Sequence, residues 1–238
     1  MLDMIGAITI TAVYAAVVGA FVGSAQMRRS AMVVILGAAA LWGILVVVIA
    51  ASGGFAPGTT GSIPAVGLAF AAWVALLFGS WFFSPQFRSA LLSVPLPVLV
   101  ALNIARIGGV FFLILAADAR LTAPFAPSAG WGDIITGVLA IPLTLAAIRG
   151  PERASTGLRL WNAFGTLDLV VAIALGLLSA PGTPFQTFTE EPGTLAIGTL
   201  PWIMIPAMLV PIYLLVHLTI AVKLRLLRRT SAPVATAS

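Results

Sequence analysis

The chain has 238 residues, 61% of them apolar and only 8% charged, with a mean hydropathy of +1.13. That is too apolar for a soluble domain, and the lack of any cysteine excludes disulfides, cysteine-ligated zinc, iron–sulfur clusters and thiol chemistry. The net charge of +5 would suit a polyanion, but the placement of the charges points to a membrane and excludes nucleic acid as a partner.

A helix needs about 20 apolar residues to cross a bilayer, within a range of roughly 17–25. Seven such runs follow one another, at 4–22, 31–51, 63–83, 94–117, 131–148, 160–179 and 200–222. They are continuously apolar, whereas barrel strands would be shorter and alternating. The expectation is an all-α integral membrane protein, a seven-transmembrane-helix bundle forming one domain over residues 1–229. The small, polar tail 230–238 is expected to be disordered. The first run lacks a basic start and a small-residue cleavage site, so it reads as a retained helix.

The first three runs carry almost no strongly polar group and read as an apolar wall facing lipid or another copy. The fourth contains Arg106 near its middle, with Asn103 three residues earlier on the same face and Gly108–Gly109 directly after. A guanidinium at the centre of a span costs at least about 2.5–3.5 kcal/mol unless compensated. From mid-span the interface is roughly 15 Å away, too far for snorkelling alone. Arg106 is therefore expected to face inward and to be paired.

In the fifth run, Asp133, Thr136, Gly137, Ala140 and Thr144 share a face, and Pro142 is expected to kink the helix. Asp133 lies about one turn inside the outer boundary, where it would also suit the positive end of the helix dipole. In the sixth, Trp161, Asn162, Gly165 and Asp168 share a broad face. Counting at 1.5 Å per residue puts Asp168 within about a turn of the depth of Arg106. Asp168 is thus the expected partner, in a geometry that suits a bidentate pair. The seventh run contains Pro201, Pro206 and Pro211 and a face made of Pro206, Val210, Tyr213 and His217. Internal prolines break or bend a span and free carbonyls. Trp81, Trp131, Trp161 and Trp202 fall at run ends and read as an interfacial belt.

Basic residues occupy alternate loops: Arg28 and Arg29, Arg88, then Arg149, Arg153 and Arg159, then Lys223, Arg225, Arg228 and Arg229. Asp3, Asp118, Glu190 and Glu191 fall on the other side with Arg120. The positive-inside rule then puts the N-terminus outside and the C-terminus in the cytoplasm, in the cell inner (plasma) membrane. The linkers 52–62, 122–130 and 180–198 would be outside. The basic C-terminal stretch is expected to touch anionic lipid.

The polar groups converge on one inward cluster: Arg106, Asp168, Asn162, His217 and Tyr213, with Asn103 and Asp133 further out. The leading expectation is binding and translocation of a small polar or anionic solute, with proton coupling through His217 as a titratable relay. The second is a membrane sensor or accessory subunit whose cluster is interhelical glue. The third is an intramembrane acid/base enzyme, which lacks an evident nucleophile. A sealed, fully paired cluster would favour the second reading, and a water-accessible cavity the first. No cofactor or metal is expected: the only lysine, Lys223, lies at the end of the seventh run, away from a retinal-type position, and a single histidine excludes bis-His haem. The bilayer is the expected partner, and a homo-oligomer is compatible with this plan.

Overall fold

The computed structural model describes residues 1–61 and 63–230, the last two by backbone alone. Of the tail 230–238, everything but the backbone of Thr230 lies outside the described residues, as does Ser62 in the first linker. Helix makes up 77% of the structure, with no strand among the described residues. The helices are α1 (Leu2–Ser24), α2 (Arg29–Ala51), α3 (Ala65–Phe83), α4 (Pro85–Ser93), α5 (Leu96–Leu102), α6 (Val110–Ala117), α7 (Phe125–Arg149), α8 (Ser155–Leu178) and α9 (Val210–Thr230). Seven helical stretches among the described residues are long and apolar enough to span a membrane. They are α1, α2, α3, Leu96–Ala117, α7, α8 and Ile205–Arg228. The protein is therefore an all-helical, multi-pass membrane protein.

The core lies on the fourth and seventh spans. Their apolar windows are 44% and 56% buried, against 17% for α2 and 11% for α3. Side chains such as Val33, Leu41 and Ile44 on α2 point outward, where acyl chains would cover them. A helix apolar on all sides is stable only in such surroundings.

The fourth span is not one regular helix. Between α5 and α6 the chain tightens into a 3-10 segment, Asn103–Gly109. This segment is pressed against α7 through glycines. A Cβ on Gly109 would lie 2.5 Å from the Asp133 Cβ, and one on Gly137 would lie 2.6 Å from the Ile107 nitrogen. Without lipid-excluding side chains between them, the two backbones approach as small residues allow in membranes.

The seventh span is also interrupted. Ile205–Leu209 is π-helical and leads into α9. Pro211 has no N–H, so the Ala207 carbonyl four residues earlier loses its helical donor. The Trp42 indole of α2 replaces it, donating to the Ala207 oxygen at 2.8 Å. Thus a sequence-level break becomes a tie between the second and seventh spans.

Two further differences from the sequence reading matter. First, α7 begins at Phe125, so most of the expected linker 122–130 is helix. Second, a short helix, α4, follows the third span. Ser84 caps it by accepting from the Phe87 N–H at 3.2 Å, with Pro85 in the first turn. Its far end is closed by Lys223, which donates to the carbonyls of Leu92 at 2.6 Å and Val94 at 2.8 Å. This is a cationic C-terminal cap, matched to the negative end of the helix.

The aromatic belt is narrower than expected. Trp131 is 56% exposed, but Trp81, Trp161 and Trp202 are buried. Trp202 donates to Asp3 at 2.8 Å, and Arg120 bonds the same carboxylate oxygen at 2.8 Å. These contacts pin the start of α1 to the segment after α6 and to the entry of the last span.

Candidate functional site: a buried arginine network

Arg106 stands in the 3-10 segment, only 3% exposed. Its Nε donates to Asp133 Oδ1 of α7 at 2.7 Å. Its Nη2 donates to Asp168 Oδ2 of α8. Its Nη1 donates to the Gly165 carbonyl at 3.2 Å and meets His217 Nε2 of α9 at 3.0 Å. One side chain on the fourth span therefore bonds to the fifth, sixth and seventh. Guanidinium carries five N–H donors in a fixed plane, so it can point at several helices at once. The Tyr213 ring lies 5.9 Å from the guanidinium carbon, within cation–π range.

The donor rules settle the histidine tautomer. Guanidinium has no acceptor atom, so His217 Nε2 must accept from Arg106. The ring proton then sits on Nδ1 and donates to Asn162 Oδ1, 2.9 Å away. Asn162 returns a bond from Nδ2 to the His217 carbonyl at 3.2 Å. The amide orientation and the tautomer are mutually consistent. Trp161 walls this side: its indole donates to the Thr136 carbonyl at 2.9 Å, and its ring centroid lies 5.6 Å from that of His217.

Glycines make room for the network. A Cβ on Gly165 would come within 2.7 Å of the His217 ring, and one on Gly132 would overlap the Asp168 carboxylate. α8 therefore approaches α9 at Gly165, and α7 approaches α8 at Gly132.

A cavity of about 50 Å³ lies beside the network, lined in part by Arg106, Gly109, Asp133 and Tyr213. A water needs roughly 10–15 Å³ of such space, so the cavity suits one to a few waters and no larger solute. Counting formal charges, one guanidinium faces two carboxylates. Among the described residues no group of three or more His, Cys, Asp or Glu is placed to hold a metal ion.

The structure brings Arg106, Asp133, Asp168, His217 and Asn162 into one hydrogen-bonded set, with Tyr213 against it. Asp133 is not further out, as its position in the sequence suggested. Because α7 starts at Phe125, Asp133 lies two turns inside the helix, in direct contact with Arg106. Asn103 does not join in through its amide N–H, which turns back to the Leu99 carbonyl at 3.0 Å and leaves Oδ1 unpartnered. Tyr213 reaches the Leu102 carbonyl at 3.5 Å, a long contact at best. Sequence reasoning put Trp161 and Gly165 on the Asp168 face but assigned Trp161 to the interfacial belt, and it missed the Gly165 carbonyl as an acceptor and the room made by Gly132. The small residues at helical spacing on α8 were the available signal.

His217 thus serves as an acceptor for Arg106 and as a donor to Asn162. His217→Gln can fill both roles with its amide and is expected to lose under about 1 kcal/mol of stability. His217→Phe keeps the bulk but removes the acceptor, and should lose about 1–3 kcal/mol because a buried donor is left unpaired. Thermal unfolding in detergent distinguishes the two. Equal losses would mean that the ring acts only by its volume.

No curated protein and no solved structure matches the chain. A family model matches residues 63–225, from the third span into the seventh. It includes every residue of the arginine network and leaves out α1 and α2. With about two thirds of its length matched, the chain belongs to the family described as a domain of unknown function, DUF8737.

Proposed function

We propose that this protein is an accessory or sensory module of the inner membrane, in which the Arg106 network locks the fourth to seventh spans together. The observation that carries this reading is the enclosure of the guanidinium. It is 3% exposed and bonded to acceptors from three other spans. A solute path would need these bonds to open in each cycle.

The test uses the cysteine-free background. Thr136 lies within the network wall, fully buried, with its hydroxyl unpartnered. Thr136→Cys is close to isosteric there. The thiol is expected to stay unreactive toward a small charged thiol reagent added to either side of intact vesicles, and to react once the protein is unfolded. Labelling from one side of the folded protein would overturn the lock and favour a path.

The second reading is translocation of a small solute, favoured by the cavity beside Asp133 and by the irregular turns in the fourth and seventh spans. Broken helices at mid-membrane often line transport sites. On this reading the charge count decides the cargo. Two carboxylates already face Arg106, so the site would take a cation or a proton before an anion.

We also propose that the N-terminus is outside and the C-terminus cytoplasmic, from the ten-to-one bias of basic residues between alternate loops. Single cysteines at Gly58 and Thr187 should label from outside with an impermeant reagent, and one at Ser155 only after permeabilisation. The opposite pattern inverts the map.

A further inference from the structure

A groove of about 1020 Å³ runs between α1, α2, α3 and α4, with Leu102 of α5 and Ile212, Leu215 and Val216 of α9 also lining it. None of its lining residues belongs to the arginine network, and its volume is at the upper end of the roughly 300–1,000 Å³ typical of ligand sites. We propose that it holds one anionic phospholipid, with the phosphate at Arg28 and the acyl chains along the floor.

Three observations point to this occupant. The floor is apolar, made by residues such as Val17, Phe21, Ala38 and Leu77. The rim at one end is polar and cationic: Arg28 with Gln26, Ser30, Ser84, Gln86 and Ser89. No carboxylate lines the groove, so nothing there opposes a phosphate. Arg29 and Arg88 adjoin the rim in sequence and strengthen its field. The third observation is depth. Along α2 the lining runs from Ser30 to Ala39, nine steps of 1.5 Å or about 14 Å. That is close to half of the roughly 30 Å hydrocarbon core. A groove one leaflet deep, polar at the interface and apolar inward, has the polarity profile of a single phospholipid. Basic pockets between spans recognise anionic headgroups in this way.

The rim is also held in place. The loop joining α1 and α2 is tied to the end of α4 by the Gln26 N–H, which donates to Ser93 Oγ at 2.7 Å. The headgroup end is therefore built from two fastened segments.

The test is lipid retention by the full-length protein, read by native mass spectrometry after exchange into phosphatidylglycerol or phosphatidylcholine. The expected result is one phosphatidylglycerol per chain, preferred at least about tenfold over phosphatidylcholine. Arg28→Glu should bring the two lipids to parity. Ala38→Trp should reduce retention of both, with folding checked by the thermal transition. Phosphatidylglycerol carrying a photoreactive tail gives a second readout that needs no variant: crosslinks should map to the groove-lining residues of α1, α2 and α3. Parity in the wild type overturns the proposal. So do crosslinks confined to the outer face of α2, or a dimer whose second copy fills the groove in place of lipid.

Discussion

Arg106→Met is expected to be the most destabilising single change in the network, at about 3–5 kcal/mol, the range for breaking a buried ion pair from one side. It leaves Asp133 and Asp168 without their shared cation. Asp168→Leu has a different consequence. It leaves Arg106 with Asp133, a balanced pair at 2.7 Å, and removes one charge-assisted hydrogen bond, about 1.5–3 kcal/mol. The order of costs, Arg106 above Asp168, follows from one arginine serving two carboxylates. A simple pair would give equal costs. Adding Asp133→Leu and Asp168→Leu to Arg106→Met should recover much of the loss, since apolar replacement of a whole buried ion cluster is often neutral or stabilising. Unfolding of these three variants and of Asp133→Leu alone, purified in one detergent, gives all four values. If Asp168→Leu costs as much as Arg106→Met, or if the triple variant shows the sum of the single losses, the network is not organised by charge balance.

The seven spans were readable because length and apolarity alone decide them. The pairing of Arg106 with Asp168 was also within reach, since both depths could be counted along uninterrupted runs. Asp133 was misplaced for a definite reason. Phe125 to Gly130 includes Pro127, Ser128 and Gly130 and reads as a linker, yet it forms the first turns of α7. Six residues of unexpected helix move the origin of the depth count by about 9 Å. The same difficulty affects tryptophan. Trp131 is exposed, whereas Trp161 and Trp202 are buried and donate to acceptors on other helices, the Thr136 carbonyl and Asp3. All three stand at the edges of apolar runs, and pattern cannot say which edge turns inward. The prolines of the last span did announce a break, but the donor that mends it, Trp42, lies 165 residues away. Long-range satisfaction of a freed carbonyl leaves no local signature.

Gly132→Ala, the addition of one methyl group, is expected to cost about 1–3 kcal/mol, the usual range for overpacking. The added Cβ would occupy the space of the Asp168 carboxylate. That carboxylate is the end of a short side chain, bonded to Arg106, and has little freedom to retreat. Either it leaves Nη2, or α7 and α8 move apart at the point where both hold the guanidinium. Gly19→Ala is the matched control. Gly19 also lies inside a helix, but nothing stands within 4 Å of its virtual Cβ. There the change should be neutral, or stabilising by up to about 1 kcal/mol, because alanine favours helix over glycine. A shared background separates this effect from general packing. In Asp168→Ala the obstructing carboxylate is gone, so Gly132→Ala should then cost well under 1 kcal/mol, a strong coupling of the kind seen between residues in contact. Unfolding of the four proteins of this cycle in detergent measures it. An unchanged cost in the Asp168→Ala background would mean that Gly132 serves helix approach in general and that the Asp168 carboxylate is not what it makes room for.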